Sequence, residues 1–286
     1  MAGRPLIEDN LPLVAHYASR ESAIRRRVLR ETIERFERCP DGDRYQSRAL
    51  ENLARWKRAS QQVSNTRSTL VLPGDWGVVT HGLTQQFGEC FAVLNMANAF
   101  VPGGAYVEGA IAQEENMYRR TDCHFYILPP LYDVEHDRYT PEATRLISGE
   151  DGVVYLDADH PRVCIRGPEE RNEENLGYRW LDEHEIFPFF ELRAAAQDLR
   201  NGDTFDANRA RRQVKAQLET LKLANVRHVV FGAFGCGAFR NPAEQVARIY
   251  REELANYRAS LDVVAFAIFH AGYGPDNFTP FKAEFS

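Results

Sequence analysis

A three-layer α/β/α fold preceded by a helical segment is the class this sequence predicts, on three observations. From about Asn10 to Ser64, apolar residues recur at helical spacing with charge on the opposite face. Beyond Thr66, short apolar strands alternate with amphipathic helices, the order that builds a sheet between two helical layers. Two of those strands run into a glycine-rich loop and then a helix. The change of pattern divides the chain into a helical extension, residues 1–65, packed on a core domain, residues 66–286.

In the extension, "ESAIRRRVLRETIERFERCP" carries Ile24, Val28, Leu29, Ile33 and Phe36 on one face, and Cys39-Pro40-Asp41-Gly42 ends it. "YQSRALENLARWKRASQQV" repeats the pattern with Leu50, Leu53 and Trp56. The arginines of these helices are expected to form solvated faces, with RNA contact as the alternative. In the core domain, "TRSTLVLPG" alternates like a strand and "CFAVLNMANAF" has the apolar run of a buried one. A Pro-Gly-Gly turn follows, and "EGAIAQEENMYRR" is expected to be helical from Glu108, which puts Glu108 and Glu115 on one face about 10 Å apart. From about Pro129 to Pro188 the chain is turn-rich, with short strands at "GVVYLDA" and "RVCIRG". The polar stretches "HDRYTPEATRLISGEDG" and "GPEERNEENLGYRW" are expected to be surface loops. "DANRARRQVKAQLETLKLANV" is an amphipathic helix, "RHVVFGAFGCGAFRNPAEQVARIYREELANY" is the second strand–loop–helix unit, and "LDVVAFAIFHAG" is a last buried strand.

The 286 residues are 44% hydrophobic and 27% charged, the balance of a globular protein. No apolar run approaches the roughly 20 residues that span a bilayer, and no signal-peptide core opens the chain, so the expected location is cytoplasmic with no membrane partner. A net charge of -6 argues against specific nucleic-acid binding. The five cysteines are scattered without CxxC spacing and the histidines form no HExxH or HxH pair; neither a disulfide framework nor a metal site is expected.

"VPGGAYVEGAI" and "FGAFGCGAFRNPAEQ" share a physical logic: glycines let the backbone approach a ligand, and a helix beginning nearby offers free N–H groups to an anion. The known nucleotide motifs do not fit. GxxxxGK[ST] is absent, and Gly232-Ala-Phe-Gly235-Cys-Gly237 has the wrong spacing for GxGxxG, with Arg240 where a third glycine would fall. Adjacent Glu114 and Glu115 are an acid pair of the kind that raises one carboxyl pKa.

Together these residues resemble the poly(ADP-ribose) glycohydrolase family in its compact bacterial type. The family's signature is a glycine triplet, a short spacer and Gln-Glu-Glu; here Gly103-Gly104-Ala105, "YVEGAIA" and Gln113-Glu114-Glu115 occupy those places. "VLNMANAFVP", "FGAFGCGAFRNP" and "DNFTPF" are similar to its lead-in strand, second phosphate loop and C-terminal segment. The resemblance runs from about Leu70 to the C-terminus and implies a macrodomain with a mixed central sheet. It implies an enzyme that cleaves the ribose C1″ glycosidic bond of poly(ADP-ribose) or of protein-linked ADP-ribose, with no cofactor. A mono-ADP-ribosyl hydrolase acting on arginine- or ubiquitin-linked substrates and a non-catalytic ADP-ribose reader are the alternatives.

By this resemblance Glu115 is the catalytic acid, Glu114 bonds a ribose hydroxyl or the leaving group, and Gln113 fixes the helix start. Asn95 or Asn98 orients the distal ribose, ordinary turn chemistry being the alternative. The backbones of Gly103, Gly104 and Ala105, and of Gly235, Cys236, Gly237, Ala238 and Phe239, face the diphosphate. Phe278 packs on adenine with Tyr273 and Phe239 behind it. The departure is Ala105 in place of a third glycine, harmless if φ there is negative, the alternative being a backbone held off the ribose or phosphate, with changed substrate preference or weaker turnover. A nucleophilic Cys236 lacks a paired base, and inert packing is expected.

Overall fold

The computed structural model describes residues 3–7, 17–39, 44–60, 67–270, 272 and 274–286. Two helices, α1 (Arg20–Glu37) and α2 (Arg44–Ala59), precede β1 (Ser68–Pro73), α3 (Trp76–Phe87) and β2 (Ala92–Met96). After the first glycine loop come α4 (Gln113–Arg120), the hairpin β3 (Tyr132–Asp133) and β4 (Arg138–Tyr139), and α5 (Pro141–Ile147). Then follow β5 (Tyr155–Leu156), β6 (Arg162–Cys164), β7 (Phe187–Ala194), α6 (Ala207–Leu223), β8 (His228–Phe231), α7 (Ala243–Tyr257), β9 (Val263–Ile268) and α8 (Phe278–Glu284).

Among the described residues the main sheet has seven strands in the order β1-β9-β8-β2-β7-β5, with β6 also paired to β7. The neighbours from β1 through to β7 are parallel, whereas β5 and β6 run antiparallel to β7. The sheet is therefore mixed. Because strand side chains alternate, the parallel strands feed two cores. Leu94, Leu192, Phe231 and Phe266 face Leu218, Leu221, Tyr250 and Phe281 of α6, α7 and α8. Val93, Phe189, Val230 and Ala265 face Leu29, Ile33, Trp56, Leu83 and Met117 of α1 to α4. The N-terminal helices thus supply part of one helical layer.

Local chemistry sets the helix starts. The Ser19 hydroxyl accepts the Ser22 N–H at α1, and the Asp75 and Asp206 carboxylates each accept two N–H groups at α3 and α6. Helix α4 departs from expectation. It begins at Gln113, while Pro102 to Gly109 form successive turns, so Glu108 and Glu115 do not share a helix face. Positive φ at Gly103, Gly104 and Gly109 breaks the helical path.

Two further expectations change. Arg25 and Arg26 of α1 are buried rather than solvated. Arg25 forks onto Glu169 at 2.9 and 3.1 Å, and Arg26 donates to the carbonyls of Tyr17 and Glu108. The stretch containing Glu169 is accordingly not a free surface loop, because its Leu176 and Tyr178 pack against Ile24 and Val28. The five cysteines are unpaired, and no described helix is long and apolar enough to cross a membrane.

Candidate active site

Parallel pairing puts the ends of β2 and β8 side by side, with Ala92 opposite Val229 and Val93 opposite Val230. Both glycine loops therefore leave the sheet at its carboxyl edge from adjacent strands, where open α/β sheets bind ligands. The end of β7 lies on the other side of β2 and leads to Asp198 and Arg200.

Helix α4 is anchored to β2 by Gln113. Its side-chain Oε1 accepts the Met96 N–H at 3.0 Å and its Nε2 donates to the Leu94 carbonyl at 2.9 Å. That clamp sets the next two residues against the first loop. Glu114 Oε2 accepts the Asn98 N–H at 2.7 Å and its Oε1 accepts the Gly103 N–H at 3.0 Å. Glu115 Oε1 accepts the Ala105 N–H at 3.1 Å. The Gly104 N–H turns to the Val101 carbonyl. The first loop thus departs from its expected use: the N–H groups of Gly103, Gly104 and Ala105 serve the two glutamates and a turn, and none is left for a diphosphate. Two carboxylates beside a glycine loop are well placed because they are the anions it holds. A Cβ on Gly104 would stand 2.5 Å from Glu115 Oε1 and push that carboxyl away, and φ of 58° favours glycine as well. Ala105 is not among the residues with positive φ, and an alanine fits its backbone without strain.

Burial pushes the Glu114 carboxyl far above the usual carboxylate range, and the charge of Glu115 adds to this, while the Asn98 N–H and Arg193 oppose it. Burial also raises Glu115, against its own backbone N–H, the Ala105 N–H and the charge of Arg119, with Glu108 adding to the rise. Two buried neighbouring carboxyls share a proton rather than both ionising. The rise is larger at Glu114, and the first loop gives that residue two N–H groups against one to Glu115. Both oxygens of Glu114 accept an N–H of the first loop, as a carboxylate does, whereas the loop gives Glu115 one N–H, that of Ala105, and its own backbone N–H supplies the other.

The second loop is built differently. Asn241 is buried, and its amide donates to the carbonyls of Gln197, Gly235 and Phe239, which pins the loop from below. Gly235 has φ of 72° and no room for a Cβ between Ala196 and Asn241. The N–H groups of Gly235, Gly237, Ala238 and Phe239 have no acceptor among the described residues, and Gly237 and Ala238 are exposed. These N–H groups are open to an anion, whereas the Cys236 N–H, expected among them, donates to the Ala233 carbonyl at 2.9 Å. Cys236 is buried, and burial pushes its thiol up, so it packs as an inert group.

The two asparagines separate. Asn98 caps its own turn, its Oδ1 accepting the Phe100 and Val101 N–H groups, and it stays part-exposed at the loop. Asn95 is 0% exposed, and its amide donates to Glu191 in a buried network with Arg193 and Arg162. It therefore does not face the loops, a correction caused by strand alternation: Asn95 lies on the same sheet face as Val93. Phe278 is half-buried at the start of α8 and packs on the core, and Tyr273 lies outside the described residues. Two residues near the acid pair carry no motif. Arg200 stands over the Phe239 ring at 5.0 Å and its charge reaches Glu115. Arg4 donates to the Gly104 carbonyl at 2.6 Å.

Residues 27–155 match the microbial-type PARG catalytic domain. That span holds the first loop and the acid pair; the second loop lies beyond it. Solved PARG structures extend the likeness to the whole architecture. The PARG of Thermomonospora curvata aligns over 91% of this chain and 99% of its own at 24% identity, with a TM-score of 0.61. Its complex with the inhibitor ADP-HPD aligns equally well at 23% identity. The Deinococcus radiodurans PARG in complex with ADP-ribose aligns over 82% of this chain and 90% of its own at 22% identity, with a TM-score of 0.53. No functionally curated protein matches the chain. The resemblance read from the sequence and the macrodomain-like α/β fold are both borne out.

Proposed function

We propose that the protein is a poly(ADP-ribose) glycohydrolase that releases ADP-ribose by cleaving the ribose C1″ glycosidic bond. The observation that carries this reading is the buried acid pair on the first loop, Glu114 accepting two loop N–H groups through both oxygens beside Glu115, which accepts one through Oε1. Glycoside cleavage passes through an oxocarbenium-like transition state, which needs a proton for the leaving oxygen and negative charge beside the sugar. In the proposed mechanism Glu115 donates its proton to the leaving oxygen through Oε2 and then, as a carboxylate, draws a proton from the attacking water. Glu114 stays ionised, supplies the negative charge and accepts a ribose hydroxyl. The open N–H groups from Gly235 to Phe239 take the diphosphate, and Asn98 stands at the ribose side of the first loop. A reader of ADP-ribose would gain nothing from burying two adjacent carboxyls.

The protein-linked mono-ADP-ribosyl unit is the second substrate class of this proposal. Product release from polymer and from mono-modified proteins, measured side by side, ranks the two. Glu115→Gln should abolish release and retain ADP-ribose binding. Release at the wild-type rate by that variant removes the assignment, and tight binding with no release by wild type on any substrate leaves only the reader.

A further inference from the structure

The N-terminal segment lies against the first loop, far from it in sequence. The Gly3 N–H donates to the Ile127 carbonyl at 3.3 Å, and Leu6 and Ile7 pack on the core beneath α1 to α4. Between them Arg4 is only 5% exposed. Its guanidinium is held in one plane by Asp137, with Nε to Oδ1 and Nη2 to Oδ2 both at 2.8 Å, and by Glu108 Oε1 at 3.4 Å. Tyr106 lies under it, and the backbone N–H of Arg4 donates to the Tyr106 hydroxyl, which also meets His124 Nδ1 at 2.8 Å. With the fork so fixed, Nη1 points at the Gly104 carbonyl, 2.6 Å away.

That carbonyl belongs to the same peptide group as the Ala105 N–H, the donor to Glu115 Oε1. A trans peptide is planar, and its C=O and N–H point in opposite directions, so fixing one end aims the other. The control is needed because this peptide follows a glycine at φ 58°. Turning the peptide plane over changes ψ of Gly104, which glycine accepts readily, together with φ of Ala105, which alanine resists where it becomes positive, and a turned plane would present an oxygen to Glu115 in place of a proton. A short, charge-assisted bond on the outer side prevents this.

We propose that Arg4 is a positioning residue for the acid pair: by holding the Gly104 carbonyl it keeps the Ala105 N–H directed at Glu115. This rests on the glycohydrolase reading for its consequence in turnover, and on geometry alone for its effect on the Glu115 carboxyl. The groups that act on that carboxyl besides the Ala105 N–H are its own backbone N–H, Glu114, Glu108, Arg119, Arg200 and Tyr17. The Arg4 side is faced by Asp137, Glu108, Tyr106, His124 and, through Asp137, Tyr132.

Wild type, Arg4→Lys and Arg4→Ala in the full chain test it. The readouts are melting temperature, ADP-ribose affinity, kcat across pH, and titration of the Glu115 carboxyl by carbon NMR of labelled glutamate, assigned with Glu115→Gln. In Arg4→Ala the titration of Glu115 moves to higher pH, since an N–H that favours the carboxylate is lost. The alkaline limb of kcat follows it, kcat falls about tenfold to a hundredfold, ADP-ribose still binds, and added guanidinium restores rate. Arg4→Lys falls between, because an ammonium reaches the carbonyl without the fork to Asp137; should the alanine variant not fold, the lysine variant decides by the same readouts. An unmoved Glu115 titration in a folded variant, or a loss that follows melting temperature alone, overturns the proposal. If wild type releases no ADP-ribose the glycohydrolase reading fails, and the NMR titration still decides this one.

Discussion

Gly104→Ala puts a methyl group where two effects meet. The backbone there has φ of 58°, and an alanine held in that left-handed region costs about 1–2 kcal/mol. For a chain of this size that lowers the melting temperature by about 2–8 °C. The second effect is local. The new Cβ would lie 2.5 Å from Glu115 Oε1, 3.1 Å from its Cδ and 3.2 Å from Glu114 Oε2, the first about 0.9 Å short of ordinary contact. Glu115 has to retreat by that amount, and its bond from Ala105 goes with it. A displacement near 1 Å at a reacting group costs on the order of a hundredfold in rate. Thermal melting and ADP-ribose release from polymer, measured on the same preparation, separate the two effects: a folded protein, slightly less stable, with turnover down about a hundredfold. A variant that melts lower yet turns over like wild type would show that Glu115 does no chemistry at this position.

Three other outcomes follow from the same geometry. Gly237→Ala meets nothing within 4 Å and needs no positive φ, so melting should be unchanged; its methyl group stands among the open N–H groups of the second loop, and calorimetry should show weaker ADP-ribose binding. Glu115→Gln should melt higher than wild type at neutral pH. The folded pKa of Glu115 lies above its ordinary 4.5, so its favourable contribution is complete below that value and is lost as pH rises through the folded pKa. The advantage of the glutamine variant should therefore shrink on acidification toward pH 4.5. Glu108→Gln removes a charge that raises Glu115, so the alkaline limb of kcat should move to lower pH; a limb moving upward would contradict the assignment of that limb to Glu115.

The parts of the fold that were legible in the sequence are those whose pattern is local. Strands β2 and β8 stand out because an apolar run precedes a glycine loop, and α6 and α7 because their apolar faces keep helical period. Strand β7 was not legible. "FPFFELRA" carries a proline, a glutamate and an arginine, and its burial depends on Glu191 pairing with Arg193 and Arg162, the last from a strand far away in sequence. The acid pair was visible only as Gln113-Glu114-Glu115, and its partners were misread because free N–H groups look alike in sequence whether they serve a ligand or a side chain. Arg25, Arg26 and Arg4 had no signal at all. A lone arginine reads as solvated until the fold brings Glu169, the Glu108 carbonyl or the Gly104 carbonyl to it.

The central claim is that Glu115 holds the proton delivered to the glycosidic oxygen while the second loop grips the diphosphate. A crystal structure of Glu115→Gln with a short ADP-ribose oligomer tests it most directly. The carboxamide at position 115 should lie within hydrogen-bond distance of the glycosidic oxygen, with the N–H groups of Gly235, Gly237, Ala238 and Phe239 on the diphosphate. An oligomer whose glycosidic bond lies away from that side chain, or whose phosphates leave the second loop untouched, would contradict it.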